Sequence, residues 1–287
     1  MALENRFSNY WFCSRQHDLF RIQRIFEISI IFCLNGFISF SACAQDQSFH
    51  GYALKVFQFE GHEAKIVFPK EQNENSYWIW RARFWGHEPQ TDIALLELGF
   101  HVVYVDVANM FGNEEAVVLW DHFYDYCVKE YDLNPKVVLE GMSRGGLIIY
   151  NWASRNTDKV FSIYADAPVC DIKSWPGGMY EGKGSQEAWE ICLKAYGLDS
   201  ASVWDFKDLP IYNCVKVAQA GIPVIHVYGD SDEVVPHKEN TAILAKNFKE
   251  AGGTIELIEK EGVGHHPHSL EDPKPIVDFI LRSVKTR

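Results

Sequence analysis

The chain has 287 residues, 47% of them hydrophobic and 23% charged, an ordinary globular balance that excludes a disordered polymer and leaves room for a large core. Its formal charge of -12, from 27 Lys and Arg against 39 Asp and Glu, argues against a nucleic-acid partner, since such binders gather basic residues on one face. On so acidic a chain a local cluster of arginine stands out as a place for an anion.

The first 44 residues differ from the rest. Arg15, Arg21 and Arg24 precede an apolar run from Ile25 to Phe40, and Ser41-Ala42-Cys43-Ala44-Gln45 follows. Basic flank, apolar stretch and Ala-x-Ala form the layout of a secretory signal peptide, so 1–44 reads as that peptide and 45–287 as a mature domain, periplasmic or secreted. Asn35, Gly36 and a run shorter than the roughly 20 apolar residues of a membrane span argue against a stable anchor. Phe40-Ser41-Ala42-Cys43 also loosely resembles a bacterial lipobox, leaving lipid attachment through Cys43 open. Of the seven cysteines, Cys13, Cys33 and Cys43 would leave with the peptide. Export permits disulfides among Cys127, Cys170, Cys192 and Cys214, but these suit equally well as small buried hydrophobes, and their spacing is not that of a metal site.

From about residue 50, strands alternate with helices, the pattern of a largely parallel sheet covered on both faces. Tyr52 to Glu60 and Ala64 to Pro69 read as an opening antiparallel pair turned at Gly61. Ser76 to Arg81 is a strand, Thr91 to Leu98 a helix stopped by Gly99, His101 to Val107 a strand, Glu114 to Tyr131 a helix and Lys136 to Glu140 a strand. Gly141-Met142-Ser143-Arg144-Gly145-Gly146 then turns into a helix ending near Ser154, and Val160 to Ala165 is the next strand. Residues 166–218 break the alternation with Pro168, Pro176, Gly177, Gly178, Gly182 and Gly184 around a helix near Glu187 to Tyr196, and read as an insertion or cap. Ile222 to Gly229, Glu239 to Glu250, Thr254 to Glu259 and Pro273 to Ser283 complete the alternation, giving one α/β domain with about eight strands.

Gly141-x-Ser143-x-Gly145 between a buried strand and a helix is the setting a nucleophilic serine needs. The tight turn lifts Oγ above the sheet, small neighbours let strand and helix approach, and the helix N-terminus faces developing negative charge. An acid and a histidine should follow after later strands, and both are present. Among the carboxylates of Asp230-Ser231-Asp232-Glu233, Asp232 is the expected acid, with Asp230 closing the turn and Glu233 facing solvent. In Gly264-His265-His266-Pro267-His268 the expected base is His265, with His266 and His268 as alternatives. Three histidines in four residues suggest a metal, but so tight a run cannot easily wrap one ion and no second ligand cluster stands out, so no metal or cofactor is expected.

Together Gly141-Met-Ser143-Arg-Gly145-Gly, Gly229-Asp-Ser-Asp232-Glu-Val-Val-Pro236 and Gly264-His265-His266-Pro267 resemble the α/β-hydrolase superfamily over residues 52–286, particularly exported esterase-like members related to dienelactone hydrolases and prolyl oligopeptidases. The resemblance implies an α/β-hydrolase fold and a serine esterase with the triad Ser143, His265 and Asp232. The oxyanion N–H groups would come from Arg144 and from the loop after Ser76 to Arg81. That loop reads Ala82-Arg83-Phe84-Trp85-Gly86-His87 where relatives usually carry His-Gly-Gly, so its donor is narrowed only to Ala82 or Arg83. Arg81, Arg83 and Arg144 gather near the expected pocket; they are suited to carboxylate recognition, as in glucuronoyl esterases, which are similar in having arginine after the serine, or they pair with fold carboxylates such as Glu140 and Asp166. Trp85, Trp175 and His266 lie on loops that would border a small ester or glycan ester, whereas Trp78, Trp80, Trp120 and Trp152 read as core. A serine peptidase and a non-catalytic glycan-binding protein remain the rival expectations.

Overall fold

The computed structural model describes residues 47–286; the segment read as a signal peptide, with Cys13, Cys33 and Cys43, lies outside the described residues. In chain order the elements are β1 (Gln47–Phe49), β2 (Tyr52–Phe59), β3 (His62–Phe68), β4 (Trp78–Ala82), α1 (Gln90–Glu97), β5 (His101–Val105), α2 (Glu114–Tyr131), β6 (Val137–Met142), α3 (Gly145–Ala153), β7 (Val160–Asp166), α4 (Gln186–Tyr196), α5 (Pro210–Gln219), β8 (Val224–Gly229), α6 (Thr241–Glu250), β9 (Ile255–Lys260) and α7 (Lys274–Thr286). The strands form one sheet in the order β1-β2-β3-β5-β4-β6-β7-β8-β9. β1, β2 and β3 run antiparallel, as does the β3–β5 pair, and every later pair is parallel. The sheet has nine strands where about eight were expected, because the three-residue β1 is too short to show alternation yet pairs with β2.

β4, β5, β6 and β7 are buried along their whole length, as parallel strands must be when helices cover both faces. Alternation divides their side chains between two apolar layers. Trp78 and Trp80 point into the larger one with Trp120, Phe123 and Trp152, where the Trp80 and Trp120 rings stack 3.9 Å apart; Ile79 points the other way with Leu95, Phe279 and Ile280 of α1 and α7. The tryptophans expected as core are therefore core, and Cys127, Cys170, Cys192 and Cys214 are buried free thiols. No helix among the described residues is long and apolar enough to cross a membrane.

The expected insertion is shorter than 166–218. α5 begins with Pro210 at its first turn, buries Ile211, Cys214, Val217 and Ala218, and packs on α3 and α6, so it is the regular crossover helix between β7 and β8. The surplus is the Pro- and Gly-rich stretch and α4. The parallel strands all end on one edge, at Ala82, Val105, Met142, Asp166, Gly229 and Lys260, and the loops leaving that edge hold Ser143, Asp232 and His265, at the carboxyl ends of the strands where ligands usually bind an open sheet.

Candidate active site

Ser143 sits between β6 and α3 with φ +49°, a left-handed conformation that a non-glycine residue adopts only when its surroundings enforce it. Enforcement comes from both sides. Its N–H donates to the Asp166 carbonyl (2.9 Å) and its own carbonyl accepts from the N–H groups of Val169 (2.8 Å) and Gly146 (2.9 Å). The elbow closes tightly enough that a Cβ on Gly145 would lie 2.5 Å from the Ala82 carbonyl oxygen, and one on Gly141 would lie 2.8 Å from the Gly145 carbonyl oxygen. Glycine is thus required at both positions by the approach of backbone to backbone.

Loops after β8 and β9 bring the acid and the histidine to this serine. Ser143 Oγ donates to His265 Nε2 at 3.0 Å, and His265 Nδ1 donates to Asp232 Oδ2 at 2.7 Å. Since a carboxylate only accepts, this pairing assigns the proton to Nδ1 and leaves Nε2 basic toward the serine. Burial alone would raise the Asp232 carboxyl, but bonds from His265 and from the Val234 and Val235 N–H groups to Oδ1, both at 2.8 Å, hold it below the ordinary range, so it stays ionised. Asp230 instead accepts from the Gly262 N–H, and Glu233 pairs with Lys183 in solvent.

His266 and His268 are not on this relay. His268 is buried, and its Nδ1 donates to Asp166 Oδ1 (2.8 Å), while Asp166 Oδ2 accepts from the Ser269 N–H (2.8 Å) and the Tyr164 hydroxyl (3.1 Å). Asp166 therefore anchors the histidine loop with its side chain and the elbow with its carbonyl. As the last residue of a buried strand it carries no motif that would single it out. His266 is exposed and lies beside His87. Partial burial first, then the nearby imidazoles, lower the pKa of both His87 and His266.

The arginines divide. Arg81, expected to touch substrate, is buried against Asp92 and Glu140 and also donates to the Phe84 and His87 carbonyls, because its strand position points it under the sheet edge. Burial would lower its pKa, but the two carboxylates reverse this and raise it; Glu140, desolvated and facing Asp92, is pushed well above the carboxylate range. Arg144 and Arg83 make no ion pair among the described residues. The Arg144 guanidinium lies among the rings of Phe111 (5.6 Å), Trp175 (5.6 Å) and Phe84 (5.9 Å). Burial first and the neighbouring Arg83 second bring it down to about 10, which still leaves it charged at neutral pH. Trp175 thus packs beside the Arg144 guanidinium. Trp85 does not: its ring packs on Phe49 (5.0 Å) and Tyr104 (5.5 Å) toward the antiparallel edge, because Arg83 and Phe84 both take positive φ and swing the loop away. Ala82 is the last residue paired with β6, opposite Gly141, which makes Arg83 the first residue beyond the ladder.

No family model matches the chain. An esterase of Drosophila pseudoobscura pseudoobscura is 34% identical over 59 residues, which is 21% of this chain and 19% of that protein. Among solved structures, a truncated carbohydrate esterase from gut microbiota superposes with a TM-score of 0.65 at 16% identity, over 84% of this chain and 100% of its own. An acylaminoacyl peptidase of Pyrococcus horikoshii gives 0.62 at 13% identity over 82% of this chain, which spans only 42% of that peptidase. A nine-stranded, mostly parallel sheet with a serine on the β6–α3 elbow, superposing on these structures, gives this chain the α/β-hydrolase fold.

Proposed function

We propose that the protein is a serine carboxylic-ester hydrolase using Ser143, His265 and Asp232, and that the single observation carrying this is the hydrogen-bonded relay from Ser143 Oγ through His265 to Asp232. In this reading Ser143 Oγ attacks the ester carbonyl carbon as its proton passes to His265 Nε2. The tetrahedral oxyanion is held by the Arg144 N–H, one of the unpaired donors heading α3, and by the Arg83 N–H just past the β4 ladder. Collapse expels the alcohol, which takes the proton from His265. Water, deprotonated by the same nitrogen, then releases the acid and restores Ser143. Asp232 holds the imidazole in the required tautomer throughout.

The substrate reading is a small or glycan ester bearing a carboxylate. Two neighbouring guanidiniums, Arg83 and Arg144, which make no ion pair among the described residues and have Asp106 as the nearby carboxylate, favour an anion, and the aromatic wall of Trp175 and Phe111 favours a sugar ring or similar flat group. The carbohydrate esterase aligned along its whole length agrees with this, whereas the peptidase is aligned over less than half of its own. Export remains part of the proposal and rests on the Arg15 to Gln45 pattern; N-terminal sequencing of the secreted form should begin near Gln45. Turnover of nitrophenyl acetate and of methyl-esterified glycans, together with fluorophosphonate labelling, tests the chemistry. Both should vanish in Ser143→Ala, and unchanged turnover in that variant overturns the mechanism. Cleavage of a peptide library in preference to esters would favour the peptidase reading.

A further inference from the structure

We propose that His87, His266 and His268 form a binding site for a divalent transition-metal ion of the zinc type beside the serine–histidine relay. The three come from two loops at the same sheet edge: His87 follows β4, and the other two follow β9. Among the described residues they are a set whose ligand atoms all lie within 4.8 Å of one another. Three nitrogens around a tetrahedral zinc stand roughly 3.3 Å apart, so modest ring rotations close the set. The rings already face one another across 5.7, 5.7 and 4.8 Å with interplanar angles of 89°, 85° and 80°, converging edge to face instead of stacking.

The donor atoms are uncommitted. Neither His87 nor His266 makes a ring hydrogen bond among the described residues, and the one ring nitrogen of His268 that does, Nδ1, donates to the Asp166 carboxylate. A carboxylate behind a histidine is the arrangement that orients a metal-binding imidazole and raises its basicity, and here Asp166 takes Nδ1 of His268 and leaves Nε2 as its free donor atom. Imidazole ligands suit zinc, copper and nickel and are poor for magnesium or calcium. Three protein ligands leave a fourth position, and the exposure of His266 opens it to water or to an oxygen donor from solvent. His265 is close by, its ring centroid 5.0 Å from that of His266 and 4.9 Å from that of His268, but its two nitrogens are taken by Asp232 and Ser143, so it stays outside the ligand set.

The site does not depend on the hydrolase reading, and calorimetric titration of the metal-free protein with Zn²⁺ tests it separately. One equivalent should bind to the wild type and to Ser143→Ala alike, with affinity at least tenfold weaker in His87→Ala and in His266→Ala. Thermal melting without metal verifies that the variants are folded, and His266, being exposed, provides a variant with little folding risk. Co²⁺ should give the visible absorption of a four-coordinate nitrogen site in the wild type, lost in His87→Ala. Equal Zn²⁺ affinity in wild type and both histidine variants overturns the proposal. So does loss of binding in His265→Ala with retention in His87→Ala, which would put the ion on the base of the relay.

Discussion

Asp232 and Arg144 act at the residue scale by different physics, and single substitutions separate them. Asp232 fixes which nitrogen of His265 carries the proton. Asp232→Asn can donate to the imidazole as well as accept from it, so it admits the wrong tautomer, and kcat should fall on the order of 10⁴-fold with little change in KM, measured on nitrophenyl acetate. The Arg144 guanidinium, by contrast, lies among Phe84, Phe111 and Trp175, while its backbone N–H is the oxyanion donor of the proposed mechanism. Arg144→Met keeps that N–H and removes the charge. Steady-state kinetics on a matched pair of esters should show KM rising roughly tenfold for the carboxylate-bearing one, about 1.4 kcal/mol for a lost charged hydrogen bond, and by much less for the neutral one. Equal rises for both would detach the arginine from substrate charge.

At the scale of elements, the elbow works because β6, β4 and α3 touch backbone to backbone. A methyl at Gly145 meets the Ala82 carbonyl at 2.5 Å, an atom of the central sheet that cannot step aside as a flexible side chain would. Gly145→Ala should therefore cost about 2–3 kcal/mol in urea unfolding and displace Ser143 enough to reduce ester turnover together with stability. An alanine at the exposed, unhindered Gly197, which caps α4 with φ +64°, should cost about 1 kcal/mol by backbone strain alone and leave turnover intact. The turn at Ser143, its glycines and the helix that follows were all legible in the sequence because they are contiguous. The crossover helix α5 was not, because the prolines and glycines before it hid its short 3.6-residue pattern, and β1 was not, because three residues carry no periodicity.

At the scale of the whole molecule, a histidine buried without charge makes stability depend on pH. His226 on β8 binds the Tyr150 hydroxyl of α3 (2.7 Å) and the Thr241 hydroxyl of α6 (3.0 Å), joining both helices to the sheet, and burial pushes it down to about 3. The unfolded chain takes up a proton on this residue near pH 6.5, whereas the folded chain resists until about pH 3. Between those values the unfolded state binds more protons, so stability falls as pH is lowered through the window, by about 1.4 kcal/mol per pH unit from this residue at the steepest. Denaturant unfolding from pH 7 to pH 5 should show this slope, and His226→Gln, less stable at pH 7, should show a slope reduced by about that amount. An unchanged slope in the variant would assign the acid sensitivity elsewhere.

By itself the sequence determined the alternation of strands and helices, the elbow at Ser143 and the order of acid and histidine loops, because each depends on neighbours within a few residues. Only the tertiary structure decided how residues far apart in sequence meet, since that depends on the sheet order β3-β5-β4-β6-β7-β8-β9, a product of long-range packing. It placed His265, of the three histidines in four residues, between Asp232 and Ser143, and it gave His268 to Asp166. It removed Arg81 from the pocket by supplying Asp92 and Glu140 beneath it, and left Arg83 and Arg144 unpaired. It also brought His87 to His266 and His268 across a gap of 179 residues, the second ligand cluster that the tight histidine run lacked when read alone.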